Sequence, residues 1–343
     1  MRVGINAGHF AGAPPADLAD RLRAVDDAGF ASLWFAEAYG SDVFTTLGAA
    51  AALTRRVRLG SAIAQIPART PTATAMAATT LDHLSGGRVV LGVGASGPQV
   101  SEGWHGVPYG RPLARTREYV AVLRQALARR EPVTYAGEFH HLPAAPGPGV
   151  TGLGKPLRSS LHPLRERLPV WLGAEGPRNV ALAAEIADGW HAMFFAPAFD
   201  DLYRDALAEG FARRPGGRPD GFEVVATVPV VLDDDVERAA DRVRPELALY
   251  MGGMGARGAN FHHDVFVRMG YGAVAERVQE LYLSGRKADA AAAIPTELVE
   301  QVALVGPAAK VRRDLDRWAP TVVDEIAVQG LPTDVHAVAA ALL

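Results

Sequence analysis

The chain has 343 residues and no cysteine, which excludes disulfides, thiolate nucleophiles and Cys-ligated zinc or iron–sulfur centres together. Lysine is nearly absent too, with only Lys155, Lys287 and Lys310 among many arginines. Neither sign of charge dominates: the formal net charge is −3 and the charges are mixed along the chain. That leaves no electrostatic footprint for nucleic acid or a membrane surface, and neither is expected as a partner. No apolar run reaches membrane-spanning length, and residues 1–20 lack a charged-then-apolar export pattern, so a cytoplasmic protein is expected. A solenoid-period repeat, a GxSxG elbow, a Walker loop and a His/Asp/Glu cluster with metal spacing are all missing, and no metal site is expected.

What is present is a rhythm. Strand-like runs alternate with helix-like ones from the first residues, and 49% of the chain is apolar. Strands are predicted at Val3–Asn6, Ser32–Phe35, Val57–Ile66, Arg88–Leu91, Val170–Leu172, Gly189–Phe195, Glu223–Val231 and Glu325–Val328. Helices are predicted at 16–28, 45–53, 71–84, 116–128, 179–187, 200–213 and 234–251. Several of the strands are too uniformly apolar to alternate, which is the pattern of a parallel sheet covered on both faces. The expectation is one α/β domain over 1–343, a parallel (β/α)8 barrel of TIM type rather than an open sheet.

Two stretches interrupt the rhythm. Residues 131–168 hold a hairpin pattern, PVTYAGEFHHL, and then a Pro/Gly-rich run. Residues 252–307 open on the Gly/Met-rich GGMGARGANFHHD and continue in polar helices. Insertions of this length serve either as lids and binding loops or as solvated excursions over a barrel edge. The lid reading is favoured for the second, whose glycine-rich start precedes Phe261, His262 and His263; the segment 252–265 would shape a substrate pocket.

The chemistry gathers where strands end. Ligand sites in parallel α/β folds lie at the C-terminal edge of the sheet, and three outlets carry unusual residues. GVGASG (92–97) follows the fourth strand; it is either a backbone cradle for an anion or ring, or an ordinary turn, and as a dinucleotide fingerprint it fails at Pro98. GAEGPRNV (173–180) follows the fifth strand and opens a helix. Its free N–H groups and dipole suit a phosphate, with Arg178 adding charge, unless it is a plain helix start. WFAEAYGSD (34–42) follows the second strand. Glu37, Tyr39 and Asp42 there offer a general acid or hydrogen-bond anchors; in the structural alternative Asp42 caps the next helix and Glu37 accepts backbone bonds. His9, after the first strand, is a further candidate, and His105 and the pair His262, His263 are weaker ones. Trp34, Trp104 and Trp171 are expected near the mouth.

Three motifs in order, GSAIAQIPARTP, LDHLSGGRVVLGVGASGPQ and LPVWLGAEGPRNVALAAEIADGW, make the chain resemble the bacterial-luciferase-like superfamily, and most closely its branch using the deazaflavin coenzyme F420. The resemblance spans nearly the whole chain. It implies a luciferase-like barrel with the cofactor at its C-terminal mouth and a non-prolyl cis peptide between Ala62 and Ile63 backing the central ring. Cofactor contacts would come from Ala62, Ile63 and Ala64, from Ala95, Ser96, Gly97 and Gln99, and, around the phosphate, from Gly173, Ala174, Glu175, Gly176 and Pro177. A homodimer is implied as well. The chain departs from the family in having Ala38 after Glu37, where many members carry His, and Gly97 where sugar-phosphate-oxidising members carry Glu. Both departures remove acid–base groups for oxidising a sugar. The expected activity is F420-dependent hydride transfer with a small organic substrate, reducing an activated C=C or C=N bond, with Glu37, Tyr39 and His9 as candidate proton donors. The alternatives are an FMN-dependent monooxygenase on the same barrel and a non-catalytic flavin- or deazaflavin-binding protein.

Overall fold

The structure is a computed structural model describing residues 1–10, 12–255, 258 and 260–343. Eight strands form the barrel: β1 (Arg2–Asn6), β2 (Ser32–Phe35), β3 (Arg58–Ser61, resuming at Ala64–Gln65), β4 (Val89–Gly94), β5 (Val170–Gly173), β6 (Gly189–Met193), β7 (Glu223–Val228) and β8 (Glu325–Gln329). Each pairs in parallel with the next in chain order, and β8 pairs with β1 to close the ring. Helices between successive strands cover the outside. Leu33, Leu59, Leu91, Leu172 and Ile326 face them in one large apolar core.

Two predicted strands are corrected. The third is not continuous from Val57 to Ile66: it breaks at Ala62–Ile63, whose peptide bond is cis, and only Ala64 and Gln65 resume pairing, with Val93 and Gly94. The seventh stops at Val228 because Pro229 has no N–H for the ladder. Val230–Leu232 then leaves the barrel and pairs in parallel with Leu304–Gly306.

Alternate residues of every strand point inward and fill the barrel in layers. At the N-terminal end Arg58 bonds Glu223 and Glu325, each at 2.8 Å, and Arg2 joins the same two carboxylates. Above this charged floor Trp34 and Trp171 meet with ring centroids 5.2 Å apart, and the Arg58 guanidinium lies 5.3 Å from the Trp171 ring. Gly60 leaves room for the indole: a Cβ there would sit 2.0 Å from Trp34. The expectation for the tryptophans is therefore corrected. Trp34 and Trp171 are buried as an interior layer under the mouth, and of the three only Trp104, 65% exposed, reaches the surface.

The first insertion starts on the N-terminal part of helix Pro112–Ala128, where Glu118 accepts from Glu138 N, Phe139 N and His140 N. It forms the expected hairpin (Tyr135–Ala136 with His141–Leu142). Its long coil then runs toward the floor end, where Arg165 pairs with Asp82 at 2.7 Å and bonds Val89 O at the start of β4. It is no lid. The second supplies helices Phe261–Phe266, Gly272–Leu283, Lys287–Ala292 and Thr296–Val302. Although they read as polar, Phe266, Val278, Leu281, Leu298 and Val299 bury a second apolar core against Leu247 and Met251 of helix Val236–Gly252. Of the predicted lid segment 252–265, Ala256, Arg257 and Ala259 lie outside the described residues. None of the helices described is long and apolar enough to cross a membrane.

Candidate active site at the barrel mouth

The loops after β1, β2 and β3 are stitched by their backbones. Ala36 N donates to Gly8 O at 2.9 Å, and Glu37 N to Ile63 O at 3.2 Å. The Ile63 side chain, turned by the break in β3, occupies space left free by glycine on two neighbouring strands. A Cβ on Gly173 would lie 2.6 Å from Ile63 Cγ2, and one on Gly94 3.0 Å from its Cδ1. The result is a smooth wall of Ala62, Ile63 and glycine backbone on one side of the opening.

The three expected proton donors part company. Arg69 holds the Glu37 carboxylate with two bonds, Nη1 to Oε2 at 2.8 Å and Nη2 to Oε1 at 2.6 Å, and Gln65 N donates to Oε2 at 3.0 Å. With its side chain 7% exposed, Glu37 is a clamp between the second and third outlets. The guanidinium engages both carboxylate oxygens, a geometry that suits holding the two outlets together better than the donor role expected of Glu37. Tyr39 is 61% exposed. His9 is half-buried, and burial lowers its pKa, leaving the ring neutral at neutral pH. Asp42 takes the structural alternative: it caps helix Val43–Leu53, accepting from Thr45 N at 2.7 Å, and also pairs with Arg69. Burial pushes its pKa up, and Thr45 and Arg69 outweigh that and hold it low.

The loop after β4 joins this wall through Gln65. Gln65 Nε2 donates to Ser96 Oγ at 3.0 Å, and its Oε1 lies 2.9 Å from His105 Nε2. Gln99 is exposed beside Gly97, and a Cβ on Gly97 would lie 3.3 Å from Gln99 Oε1 and 3.8 Å from Phe261 Cε1. The second insertion therefore reaches over the loop at 95–99. It also grips the fifth outlet, where His262 Nδ1 meets the Glu175 carboxylate at 2.8 Å. Ala174 O accepts from Trp190 Nε1 at 2.8 Å. Helix Pro177–Ile186 begins at Gly176 with no side-chain cap among the described residues, and a Cβ on Gly176 would meet nothing within 4 Å. Arg178 is exposed there, and Arg268 Nη2 reaches Glu175 O at 3.4 Å. Open backbone N–H groups, a helix dipole and two cations suit an anionic group.

Several mouth residues were not foreseen. Asn6 Nδ2 donates to Thr227 Oγ1 at 2.8 Å across the barrel. His191 sits inside β6 edge-on to Trp34, with ring centroids 5.2 Å apart and Nε2 buried without a partner among the described residues; burial pushes its pKa down to about 3. Gln329, at the end of β8, donates from Nε2 to Glu246 Oε1, and burial raises the Glu246 pKa. Tyr250, one turn along from Glu246, packs against Phe194 and His262. The strand residues had a sequence signal in their inward register at strand ends that are otherwise apolar. Glu246 had none, being one charge among many on an amphipathic helix. A cavity of about 340 Å3 lined by Arg124, Arg130 and Arg167 lies beside the start of β5, remote from all of these groups.

Comparison with known proteins agrees with this geometry. The family model described as luciferase-like monooxygenase matches residues 1–325. A Mycobacterium tuberculosis protein, provisionally named a coenzyme F420-dependent oxidoreductase, is 52% identical over 320 residues, 93% of this chain and 92% of its own. The 5,10-methylenetetrahydromethanopterin reductase of Archaeoglobus fulgidus is 30% identical over 233 residues, 68% of this chain and 65% of its own. The solved coenzyme F420-dependent tetrahydromethanopterin reductase of Methanopyrus kandleri shares the fold, with a TM-score of 0.79 at 22% identity over 99% of this chain and 97% of that one. With a match running from the first strand into the last and a relative sharing half its residues, this chain belongs to the luciferase-like monooxygenase family.

Proposed function

We propose that the protein is an F420-dependent oxidoreductase that reduces an activated C=C or C=N bond of a small organic substrate. The observation carrying this reading is the 52% identity, across 93% of the chain, to the relative named for coenzyme F420.

The residues at the mouth fit such a cofactor. Ala62 and Ile63 offer a flat wall, with Ala64 behind it and the loop Ala95–Gln99 beside it. The uncapped helix start at Gly173–Pro177, flanked by Arg178 and Arg268, has room and charge for a phosphate. Bound there, the deazaflavin supplies a hydride in a two-electron step. The Glu37–Arg69 pair holds the second and third outlets at a fixed separation, and Gln65 ties Ser96 and His105 to the same wall. Phe261 lies against Gly97 at the fourth outlet. Neither Ala38 nor Gly97 provides the acid–base group that oxidation of a sugar requires, so the work left to the site is orientation and delivery of one proton. A homodimer in the cytoplasm belongs to the same reading, and sedimentation velocity decides the oligomeric part.

The test is titration of the purified protein with F420 and, separately, with FMN, followed by tryptophan fluorescence, and then turnover of electron-poor alkenes and imines with reduced F420. Saturable F420 binding with alkene- or imine-dependent oxidation of the reduced cofactor is the expected result. Tight FMN binding without an F420 effect overturns it in favour of the monooxygenase. F420 binding without turnover across the substrate panel favours a non-catalytic binding protein.

A further inference from the structure

We propose that Glu246 is the proton donor at the barrel mouth, a role resting on the hydride-transfer reading above.

The geometry singles out this carboxyl. Helix Val236–Gly252 lies beside the C-terminal ends of the strands. Gln329, the last residue of β8 and in register with Asn6 at the end of β1, donates from its side-chain amide to Glu246 Oε1. One turn further on, Tyr250 packs edge-on against Phe194, just past β6, with ring centroids 5.0 Å apart, and against His262 at 4.8 Å. His262 in turn holds Glu175, just past β5. Glu246 and Tyr250 thus occupy the side of their helix that looks on the ends of β1, β5, β6 and β8. Arg244, two residues earlier, turns to the other side, to Asp241, Glu237 and the Ile294 carbonyl.

The chemistry follows from the partners. Glu37 has both carboxylate oxygens engaged by the Arg69 guanidinium. Glu246 faces a neutral amide, and among the described residues no Lys, Arg or His forms an ion pair with it. The titratable group next to it is Tyr250 on its own helix, and Tyr250 in turn neighbours His262 and Glu175 at the fifth outlet and Tyr39 after β2. An amide N–H on Oε1 is compatible with a protonated acid whose O–H is carried on Oε2. Burial adds to this by disfavouring the charged form.

In the step, the π bond of the C=C or C=N group breaks. The bound reduced deazaflavin would supply the hydride for the new C–H bond, and with it the two electrons by which the substrate is reduced. Glu246 would give its proton to the atom that receives the π electrons and regain one from water.

The test uses the full chain as Glu246→Gln and Glu246→Asp. In the cofactor-free protein, infrared titration of the carboxyl bands reads the site directly: the wild type keeps a protonated-carboxyl band to higher pH than its other acids, and Glu246→Gln lacks it. With F420, Glu246→Gln binds as the wild type does, but its kcat falls about 100-fold or more. The wild-type loss of rate as pH rises through the donor's pKa disappears in this variant, and Glu246→Asp recovers part of the rate and restores that loss. Wild-type rate and pH profile in Glu246→Gln, or identical infrared titrations, overturn the assignment while leaving the hydride-transfer reading intact. Failure of the wild type to bind F420 overturns both.

Discussion

Arg69 grips Glu37 with both arms, its two terminal nitrogens lying 2.8 and 2.6 Å from the two carboxylate oxygens. Glu37 was one of three donor candidates in the sequence, and the guanidinium engages both of its carboxylate oxygens and makes it part of the architecture.

Removing the guanidinium leaves a carboxylate, 7% exposed, without its counter-ion. Arg69→Ala is expected to destabilise the protein by about 3 kcal/mol, read as a lower urea midpoint at unchanged slope. Arg69→Lys should recover only part of that, because an ammonium cannot make two parallel bonds to one carboxylate. An Arg69→Ala protein as stable as the wild type would show that the pair is not a clamp.

Two glycines, one inside the fourth strand and one at the fifth outlet, should respond in opposite ways to the same added methyl. A Cβ on Gly92 would stand 2.1 Å from the backbone oxygen of Ser61, which cannot rotate away, so Gly92→Ala is expected to cost about 2 kcal/mol or more. Gly176 has open space and an ordinary extended backbone. Gly176→Ala should therefore melt like the wild type while weakening F420 binding about 10-fold, the equivalent of about 1.4 kcal/mol, because the methyl occupies the place proposed for phosphate. Unchanged affinity in Gly176→Ala would remove the phosphate from that helix start.

His191 gives stability a dependence on acid. Its folded pKa is pushed down to about 3 from the ordinary 6.5. Between those values the unfolded chain holds a proton on this ring that the folded chain does not, so acid favours unfolding. The contribution is whole above pH 6.5 and is lost as pH falls toward 3, at about 1.4 kcal/mol per pH unit. Urea unfolding of wild type and His191→Gln across this range measures it. The wild type should lose stability more steeply by that amount, and parallel slopes would refute the assignment.

The barrel was legible in the sequence because its period is a local property: apolar runs at Ser32–Phe35 and Val170–Leu172, each followed by a glycine-rich or charged outlet, signal parallel strands in order. The break at Ala62–Ile63 came from the resemblance, since nothing in the run VRLGSAIAQI interrupts its β-pattern. Where reading stopped short, partners distant in sequence decide. Glu37 looks like an acid until Arg69, on the far side of the third strand, is placed against it. The helices of 272–302 read as polar until helix Val236–Gly252 supplies the apolar surface that their buried faces need. Glu246 gains its setting only when Gln329, at the other end of the chain, closes the barrel beside it.

The charged floor and the two indoles above it have a consequence for traffic. Arg2, Arg58, Glu223 and Glu325 are locked together at one end with Trp34 and Trp171 packed over them, so among the described residues that end is filled and the C-terminal mouth is the side left for entry. Two reactants of the proposed reaction that both come in by the mouth would have to queue: the one that settles deeper would enter first and depart last. Order of addition, in such a vessel, is set by depth.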